Sequence, residues 1–476
     1  MKHKIILAAI LGLALFLRVY RTQDFLGFWY DQGRDAKVIW DFIHNGKFFL
    51  VGPVTGISGI FRGPWYYWLI TPAYWLGNGN PVWPAVFLSS TTVLAAFLVC
   101  HLTTKIAGSR AGLLAVFITA ISYPLMHASR WLSNPTPMFL INMLLVYFLF
   151  KVIDGKKWAW IGVGFLFGQS MQFGSATEIF ILPAIIIFLA FNRSLFPGFK
   201  IFLLSLSAIF LSFAPQILFD IRHQGIISQN LLKFFVADKS FQLSFLDTLI
   251  VRLPFYLQTF GSKLFPSSLL PAYIFLPLCG LSLFRKFSNH FQLLLVLFFT
   301  PLVGMLFFHG NEGNVYDYYF TGFYLVFVII FSVLAIRLNR LVLVSFLAVF
   351  LYQNISQTFA LLSRPFPGYI SLSSILQAVD WVYTDAKDRA FNTDAYVPPI
   401  IPHAYDYVFL WRGTTWYRRF PDTGLVTRLY TIVEPDDEHP QLRYTWLVRQ
   451  SFFSSVEEEH QIGPLLVQRR FRHKFE

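Results

Sequence analysis

Acidic residues are scarce in the first three quarters of the chain, and four of them lie close together. Residues 1–364 contain only 11 Asp and Glu, yet Asp24, Asp31, Asp35 and Asp41 all fall within 18 residues. Asp31 and Asp35 are four residues apart, so on a helix their carboxylates share one face. A positioned carboxylate can take the proton of an attacking hydroxyl group. The alternative is a solvated polar face on which neighbouring cations pair with the acids.

Four basic residues are candidates for holding an anion. They are Arg62, Arg130, Arg222 and His223. Arginine suits a phosphate, because its planar guanidinium donates two parallel hydrogen bonds and stays protonated. The alternatives are a headgroup contact for Arg62 and ordinary loop positions for Arg222 and His223.

A metal site is the main alternative for the acids. Asp31 and Asp35, with Glu312 as a third ligand, could hold a divalent ion. The 11 histidines show no metal-ligand spacing. Two arginines neutralise one phosphate, so we expect no cofactor and keep the divalent ion as the alternative.

The composition indicates where such residues would sit. The chain has 476 residues, of which 55% are hydrophobic and 13% charged, against about 25% charged in soluble domains. This excludes a disordered chain, which needs low hydrophobicity and high charge. It also argues against a soluble enzyme, because so apolar a surface is not compatible with water. The composition predicts a multi-span α-helical membrane protein.

About eleven apolar stretches approach the length needed to span a bilayer. They are 5–20, 83–104, 110–126, 135–152, 158–173, 176–192, 199–219, 268–284, 291–308, 315–336 and 341–358. The stretch 65–77 is short and rich in Trp and Tyr, so it is expected to lie at the membrane interface. The amphipathic segment that carries Asp31 and Asp35 is expected to form a second interfacial helix.

Loop charge predicts the orientation. With the N-terminus in the cytoplasm, the short loops predicted inside carry ten or more basic residues and those predicted outside carry one, Arg130. The long loops 21–82 and 220–267 then lie outside, as does the chain after residue 358. We therefore expect a protein of the plasma membrane whose domain 1–360 is transmembrane.

Residues 365–476 predict a small extracytoplasmic α/β domain. Their net charge is −2, whereas residues 1–364 carry +15, so the basic balance belongs to the membrane part and indicates no nucleic acid. Residues 372–388 have helical periodicity, and Tyr405–Arg412 and Leu425–Val433 are rich in residues that favour strands.

The first loop carries a resemblance to a known family. An acid after the first span, followed by Arg62-Gly63-Pro64-Trp65-Tyr66-Tyr67-Trp68-Leu69, resembles the polyprenyl-phosphate-sugar glycosyltransferases of the C superfamily. That superfamily includes the protein O-mannosyltransferases and the aminoarabinose transferases. Two looser elements agree: Ala128-Ser129-Arg130 followed by Asn134-Pro135, and Ala214-Pro215 leading to Asp220, Arg222 and His223.

The resemblance implies a role for each candidate residue. Asp31 falls on the family's loop acid and is implied as the catalytic base, with Asp35 beside it, while Gln32 stands where the family has Glu. Arg62 and Arg130 are implied as contacts to the donor phosphate, and Arg222 and His223 as weaker ones. Gly63 and Trp65 depart from the family's Pro and Leu.

The implied function is membrane glycosyl transfer. A sugar would move from a polyprenyl phosphate to a glycan, lipid or protein acceptor on the outer face, with inversion if a single base acts opposite the phosphate. The alternative is a transporter or flippase of a lipid-linked or amphipathic substrate. That class more often shows two related halves and interrupted helices with acids at the membrane midplane.

Overall fold

The structure is a computed structural model that describes residues 2–55, 59–236, 244–284, 286–308, 313–398 and 401–473. The chain divides into two compact units. The first comprises Met1–Tyr20, Phe49–Ile70 and Val86–Ala360, and the second Arg21–Phe48, Thr71–Ala85 and Leu361–Glu476. The second unit therefore combines the C-terminal residues with two pieces of the first long loop.

Helices account for most of the described chain. They are α1 (Lys2–Val19), α2 (Thr22–Phe25), α3 (Tyr30–Asn45), α4 (Trp65–Leu76), α5 (Val82–Ile121), α6 (Tyr123–Ser129), α7 (Met138–Ile153), α8 (Ala159–Phe173), α9 (Ile181–Phe191), α10 (Phe199–Arg222), α11 (Ile226–Val236), α12 (Phe245–Gly261), α13 (Leu270–Gly280), α14 (Asn289–Gly304), α15 (Tyr324–Ala335), α16 (Arg340–Leu362), α17 (Leu372–Ala386), α18 (His403–Arg412) and α19 (Pro440–Ser451). Short 3₁₀ turns cover Ala176–Phe180, Arg193–Leu195, Leu281–Phe284, Met305–Phe307 and Asp317–Phe323.

The predicted apolar stretches all coincide with helices. Within the described residues, five helices are long and apolar enough to cross a membrane, and three more apolar helices are shorter. The five are Val82–Ile121, Phe199–Arg222, Asn289–Phe307, Asp317–Ala335 and Arg340–Leu362. The multi-span helical fold is confirmed, while the count of eleven spans stays a prediction.

Two features of the helical unit were not predicted. The stretch 83–104 and most of 110–126 form the single helix α5, which is kinked where Gly108 adopts a left-handed conformation (φ 82°), and the stretch continues into α6. The loop 220–267 contains the helices α11 and α12.

Small residues allow a close contact between two helices of the first unit. A Cβ atom on Gly164 of α8 would lie 2.3 Å from the carbonyl oxygen of Ser205 in α10, and one on Gly168 would lie 2.5 Å from Ser212 Oγ. Small side chains let helix backbones approach in this way in membrane proteins. The helix α15 is buried along its whole length, so it forms the centre of this unit.

The second unit contains a four-stranded sheet. Its strands are β1 (Asn392–Tyr396), β2 (Arg428–Val433), β3 (Ser454–Ile462) and β4 (Leu465–Arg472), in the order β1-β2-β4-β3. β1 runs parallel to β2, and the other neighbours are antiparallel. The predicted α/β domain, its helix at 372–388 and the strand ending at Val433 are confirmed.

The strand preference of Tyr405–Arg412 was misleading, because this segment is the helix α18. Strand preference of aromatic and β-branched residues mostly reflects a fit to a half-buried surface. Here Tyr405, Val408, Phe409 and Trp411 are buried by helical packing instead. A contact with α3, described below, holds α18 in place.

Candidate active site

Asp31 and Asp35 lie on the helix α3 of the second unit, as the amphipathic pattern predicted. The helix starts at Tyr30, where Gln32 Oε1 accepts a hydrogen bond of 3.1 Å from the backbone N–H of Trp29. It ends at Gly46, which adopts the left-handed conformation that favours glycine (φ 63°). The residue that replaces the family's Glu therefore serves as a cap of the helix.

Arg34 joins the two carboxylates. Its Nη1 lies 2.8 Å from Asp31 Oδ1, and its Nη2 lies 2.7 Å from Asp35 Oδ1. The Asp31 side chain is 61% exposed, whereas that of Asp35 is 10% exposed. An exposed ion pair is weak, so Asp31 stays accessible to an acceptor. Asp35 is buried and orients Arg34.

Gly33 sets the distance between this helix and α18. A Cβ atom on Gly33 would lie 2.3 Å from the backbone nitrogen of Ala404 and 2.4 Å from the carbonyl oxygen of His403. Both are backbone atoms, so no side-chain rotation can relieve the clash. The position of Asp31 therefore depends on this glycine.

We expect Gly33→Ala to lower the apparent unfolding temperature of the purified protein. Overpacking costs about 1–3 kcal/mol, which exceeds the gain of roughly 0.5–1 kcal/mol from placing alanine in a helix. Gly424→Ala is the matched control in the same unit, because its nearest neighbour would be Asp422 Oδ1 at 3.5 Å. An unfolding temperature equal to that of the control would contradict the packing described here.

The loop that carries Arg62 is held by two glutamines of the first unit. Gly63 N–H donates to Gln172 Oε1 at 2.7 Å, and Gln172 Nε2 donates to Gln216 Oε1 at 2.7 Å. Gln216 Nε2 in turn donates to the carbonyl oxygen of Phe61 at 2.7 Å. A side chain on Gly63 would collide with Gln172, at 2.3 Å. Proline at this position would lack the N–H that donates to Gln172, so the bond requires a residue other than the family's proline.

Arg62 itself lies beside a buried acid. Its Nη1 donates to the carbonyl oxygen of Gly174. Desolvation lowers the pKa of the Arg62 guanidinium, and the nearby Glu178 carboxylate opposes that shift. Glu178 is 1% exposed and accepts hydrogen bonds from Ser175 N–H at 2.5 Å and Thr177 Oγ1 at 3.0 Å. Arg62 is thus held by the carbonyl oxygen of Gly174, with the Glu178 carboxylate within electrostatic reach.

Arg130 is buried and contacts the end of the first helix. It is 6% exposed, and its Nη1 and Nη2 donate to the carbonyl oxygens of Leu17 at 2.8 Å and Tyr20 at 2.9 Å. Basic side chains stabilise the last carbonyls of a helix in this way. The structure therefore gives Arg130 a positioning role, and its contact to phosphate stays a prediction.

Lys263 is a third cation that the sequence analysis missed. It is 4% exposed; its Nζ lies 3.5 Å from Asp317 Oδ2 and 4.2 Å above the ring of Tyr324. Burial lowers its pKa, and Asp317 opposes the shift. Lys263 is one of five Lys and Arg residues in the loop 220–267, so its place in the sequence did not single it out.

Two of the three cations lie beside one short segment of the first unit, and Arg130 shares its neighbour His127 with Lys263. Tyr318 and Tyr319 interact electrostatically with Arg62, and the preceding Asp317 pairs with Lys263. His127 lies within electrostatic reach of both Arg130 and Lys263. We call Arg62, Arg130 and Lys263 the cation cluster.

The remaining candidates lie elsewhere or outside the described residues. Arg222 and His223 are exposed at the end of α10, where His223 stacks on Phe219 with ring centroids 3.9 Å apart. Glu312, the third acid of the alternative metal site, lies outside the described residues. Among the residues the structure describes, no group of three His, Cys, Asp or Glu side chains is arranged to hold a metal ion.

Comparison with known proteins identifies the class. Residues 62–219 match the sequence model of the dolichyl-phosphate-mannose-protein mannosyltransferase family. No curated protein sequence matches the chain. The matched residues include Arg62, Arg130 and Glu178.

Solved structures share the fold. ArnT from Cupriavidus metallidurans, bound to undecaprenyl phosphate, is 11% identical with a TM-score of 0.65, and the match covers 98% of this chain and 97% of that one. Its apo form is 10% identical with a TM-score of 0.64 and the same coverage. The oligosaccharyltransferase AglB from Archaeoglobus fulgidus, in complex with an inhibitory peptide and a dolichol-phosphate, is 13% identical with a TM-score of 0.53. That match covers 98% of this chain and 74% of AglB.

The matched family model and the shared fold support a membrane glycosyltransferase that uses polyprenyl-phosphate-linked sugars. They bear out the resemblance predicted from the first loop, and they indicate an enzyme.

Proposed function

We propose that the protein transfers a sugar from a polyprenyl phosphate to a hydroxyl acceptor on the outer face of the plasma membrane. The observation that carries this proposal is the cation cluster, in which Arg62 and Lys263 interact with the segment Asp317–Tyr319 and Arg130 lies within electrostatic reach of His127, as Lys263 does. Phosphate is the leaving group of such a donor, and fixed cations stabilise the charge that develops on it.

The reaction is a single displacement. The acceptor oxygen attacks the anomeric carbon, its proton passes to the Asp31 carboxylate, and the bond between the anomeric carbon and the phosphate oxygen breaks. The electron pair leaves with the polyprenyl phosphate, and Arg62 and Lys263 stabilise the added negative charge. Attack opposite the phosphate inverts the anomeric configuration.

The chain segments that make up the second unit support the proposed orientation. Residues that follow α1 and residues that follow α16 belong to this one compact unit. Arg21 Nη1, for example, donates to the carbonyl oxygen of Leu362 at 2.8 Å. This supports a topology in which both ends of the intervening chain lie on the same side of the membrane, as loop charge predicts for the outside.

We expect protease added to intact spheroplasts to remove a tag fused after Glu476. A tag inserted at the Gly155 turn, which loop charge assigns to the cytoplasm, is the matched control and should be cut only after permeabilisation. Cleavage of the Gly155 tag and protection of the C-terminal tag would contradict the orientation.

The function is tested by comparing cells with and without the protein. Mass spectrometry of surface glycans, glycolipids and glycoproteins should show one class of molecule that lacks a single sugar in the deleted cells. The corresponding polyprenyl-phosphate sugar should accumulate on the outer leaflet. Accumulation on the inner leaflet instead would indicate a flippase and contradict the proposal.

A further inference from the structure

The second unit contains a cavity that none of the candidate catalytic residues lines. It has a volume of about 440 Å³, within the range of roughly 300–1,000 Å³ that small-molecule sites occupy. Its wall is made of residues from α17, from α18 and the π-helical turn Gly413–Tyr417, and from the loop before α5. All of these segments belong to the same compact unit.

The lining combines indole rings with polar side chains. Trp411 and Trp416 supply the rings, and Asn78, Asn80, Gln377 and Thr415 supply amide and hydroxyl groups. Each of these polar groups both donates and accepts hydrogen bonds. A sugar ring offers the complement, since its hydroxyls also donate and accept while its C–H face is apolar and packs on an aromatic ring.

The charges that line the cavity cancel each other. Arg412 Nε and Nη2 donate to the two carboxylate oxygens of Asp380 at 2.8 and 2.7 Å. Tyr417 O–H adds a bond of 3.1 Å to the same carboxylate. Because a bidentate pair satisfies both ions, the cavity favours a neutral ligand over an anion.

The aromatic wall is fixed in place. The Arg412 guanidinium lies 4.0 Å from the centroid of the Trp416 ring, which is 68% exposed. Trp411 Nε1 donates to the carbonyl oxygen of Asn78 at 2.9 Å. A Cβ atom on Gly79 would lie 2.9 Å from Cδ1 of Trp411, so the Trp411 ring packs closely against this glycine. A site already in its binding shape saves the ordering cost of association.

The backbone on both sides of the cavity is unusual. The segment that carries Thr415 and Trp416 is π-helical, a rare form that is frequently found at functional sites. Asn78, on the opposite wall, adopts a left-handed conformation (φ 48°). Such conformations persist where the surrounding structure imposes them, often at ligand sites.

We infer that this cavity is a carbohydrate subsite that binds a neutral sugar ring of the glycan acceptor. Its assignment to the acceptor rests on the proposed function, whereas sugar binding itself does not. Trp416 is the platform for the ring, Asn78 and Gln377 recognise its hydroxyls, and Asp380 positions Arg412 beneath Trp416.

Binding is tested on the full-length protein in a detergent without a sugar headgroup. Saturation-transfer difference NMR with methyl glycosides of the common neutral hexoses should detect at least one that binds. Trp416→Ala should weaken that binding about tenfold or more, as loss of a central aromatic contact does. Tyr444→Ala is the matched control, because Tyr444 is 69% exposed in the same unit and does not line the cavity.

The transfer assay separates this inference from the proposed function. Trp416→Ala should raise the KM for a glycan acceptor and leave both kcat and donor binding unchanged. Asp380→Asn should weaken binding of the glycoside less than Trp416→Ala does. Absence of glycoside binding by the unaltered protein, equal binding by Trp416→Ala, or binding of a Ser/Thr tripeptide alone would overturn the inference. If the protein binds the glycoside through Trp416 but has no transferase activity, the sugar-binding inference stands and the proposed function is contradicted.

Discussion

Asp31→Asn is expected to reduce sugar transfer at least about a hundredfold, in line with general-base contributions of roughly 10²–10⁴. The substitution keeps the shape of the side chain and removes the group that accepts the proton. Asp31 is mostly exposed, so expression and unfolding temperature should stay near those of the unaltered protein. Donor binding should also be unchanged, because the cation cluster is intact. The measurement is the initial rate of transfer at saturating donor.

Asp35→Asn is the matched control for this prediction. Asp35 contacts Arg34 and is buried, so its loss disturbs the orientation of Arg34 without removing the base. We expect a smaller loss of rate than for Asp31→Asn. Near-normal turnover by Asp31→Asn, or an equal loss in both variants, would contradict the assignment of the base.

Chelation separates a base from a metal ligand at Asp31. We propose that no divalent ion takes part, so activity should survive treatment with a chelator. Activity that disappears and then returns on addition of a divalent ion would make Asp31 and Asp35 ligands. The lower rate of Asp31→Asn would then be caused by loss of the bound ion.

Removal of the Arg62 guanidinium is expected to weaken donor binding about ten- to hundredfold. A charge-assisted hydrogen bond in a partly desolvated site contributes about 1.5–3 kcal/mol, and 1.4 kcal/mol corresponds to about tenfold. Arg62→Ala alone would also leave the buried Glu178 carboxylate without a nearby cation, and this destabilises the fold. The informative protein is therefore the double variant that carries both Arg62→Ala and Glu178→Gln. The measurement is its binding of a polyprenyl phosphate.

Two further variants complete the test of the cation cluster. Glu178→Gln alone should bind donor nearly as well as the unaltered protein. Arg62→Lys should restore binding only in part, since an ammonium cannot donate two parallel bonds. Arg130→Ala is also expected to weaken donor binding, together with a lower unfolding temperature from the lost contacts to Leu17 and Tyr20. Donor affinity unchanged in both the double variant and Arg130→Ala would place the phosphate elsewhere.

The helical part of the fold was predictable because its signal is local. A bilayer requires long apolar segments, so composition and spacing alone located the helices. The amphipathic helix α3 was found for the same reason. The interior of the loop 220–267 gave a weaker signal, since α12 carries Asp247, Arg252 and Pro254 within 17 residues.

The C-terminal sheet was less predictable because its pairing is non-local. β3 contains three consecutive glutamates, Glu457–Glu459, and Arg469 of β4 pairs with Glu457 and Glu458. A strand with so many charged residues lacks the apolar pattern by which strands are predicted from a sequence. For Tyr405–Arg412 the error was the opposite one, because residues that favour strands are buried here by the packing of a helix.

The site could be predicted only where a motif carried it. Asp31 and Arg62 stand within one recognisable loop. Lys263 and Glu178 reach their partners through contacts between residues distant in the chain, as the pairing of Lys263 with Asp317 shows. No spacing in the sequence encodes such a contact.

The most direct test uses the purified protein in liposomes that contain lipid extract from cells lacking it. These cells should accumulate the natural donor, and the acceptor is supplied as an extract of their surface glycans and glycoproteins. The account predicts release of free polyprenyl phosphate with an equal amount of sugar gained by the acceptor fraction, and neither product with Asp31→Asn. Sugar that stays attached to the polyprenyl phosphate in the presence of active, folded protein would contradict it.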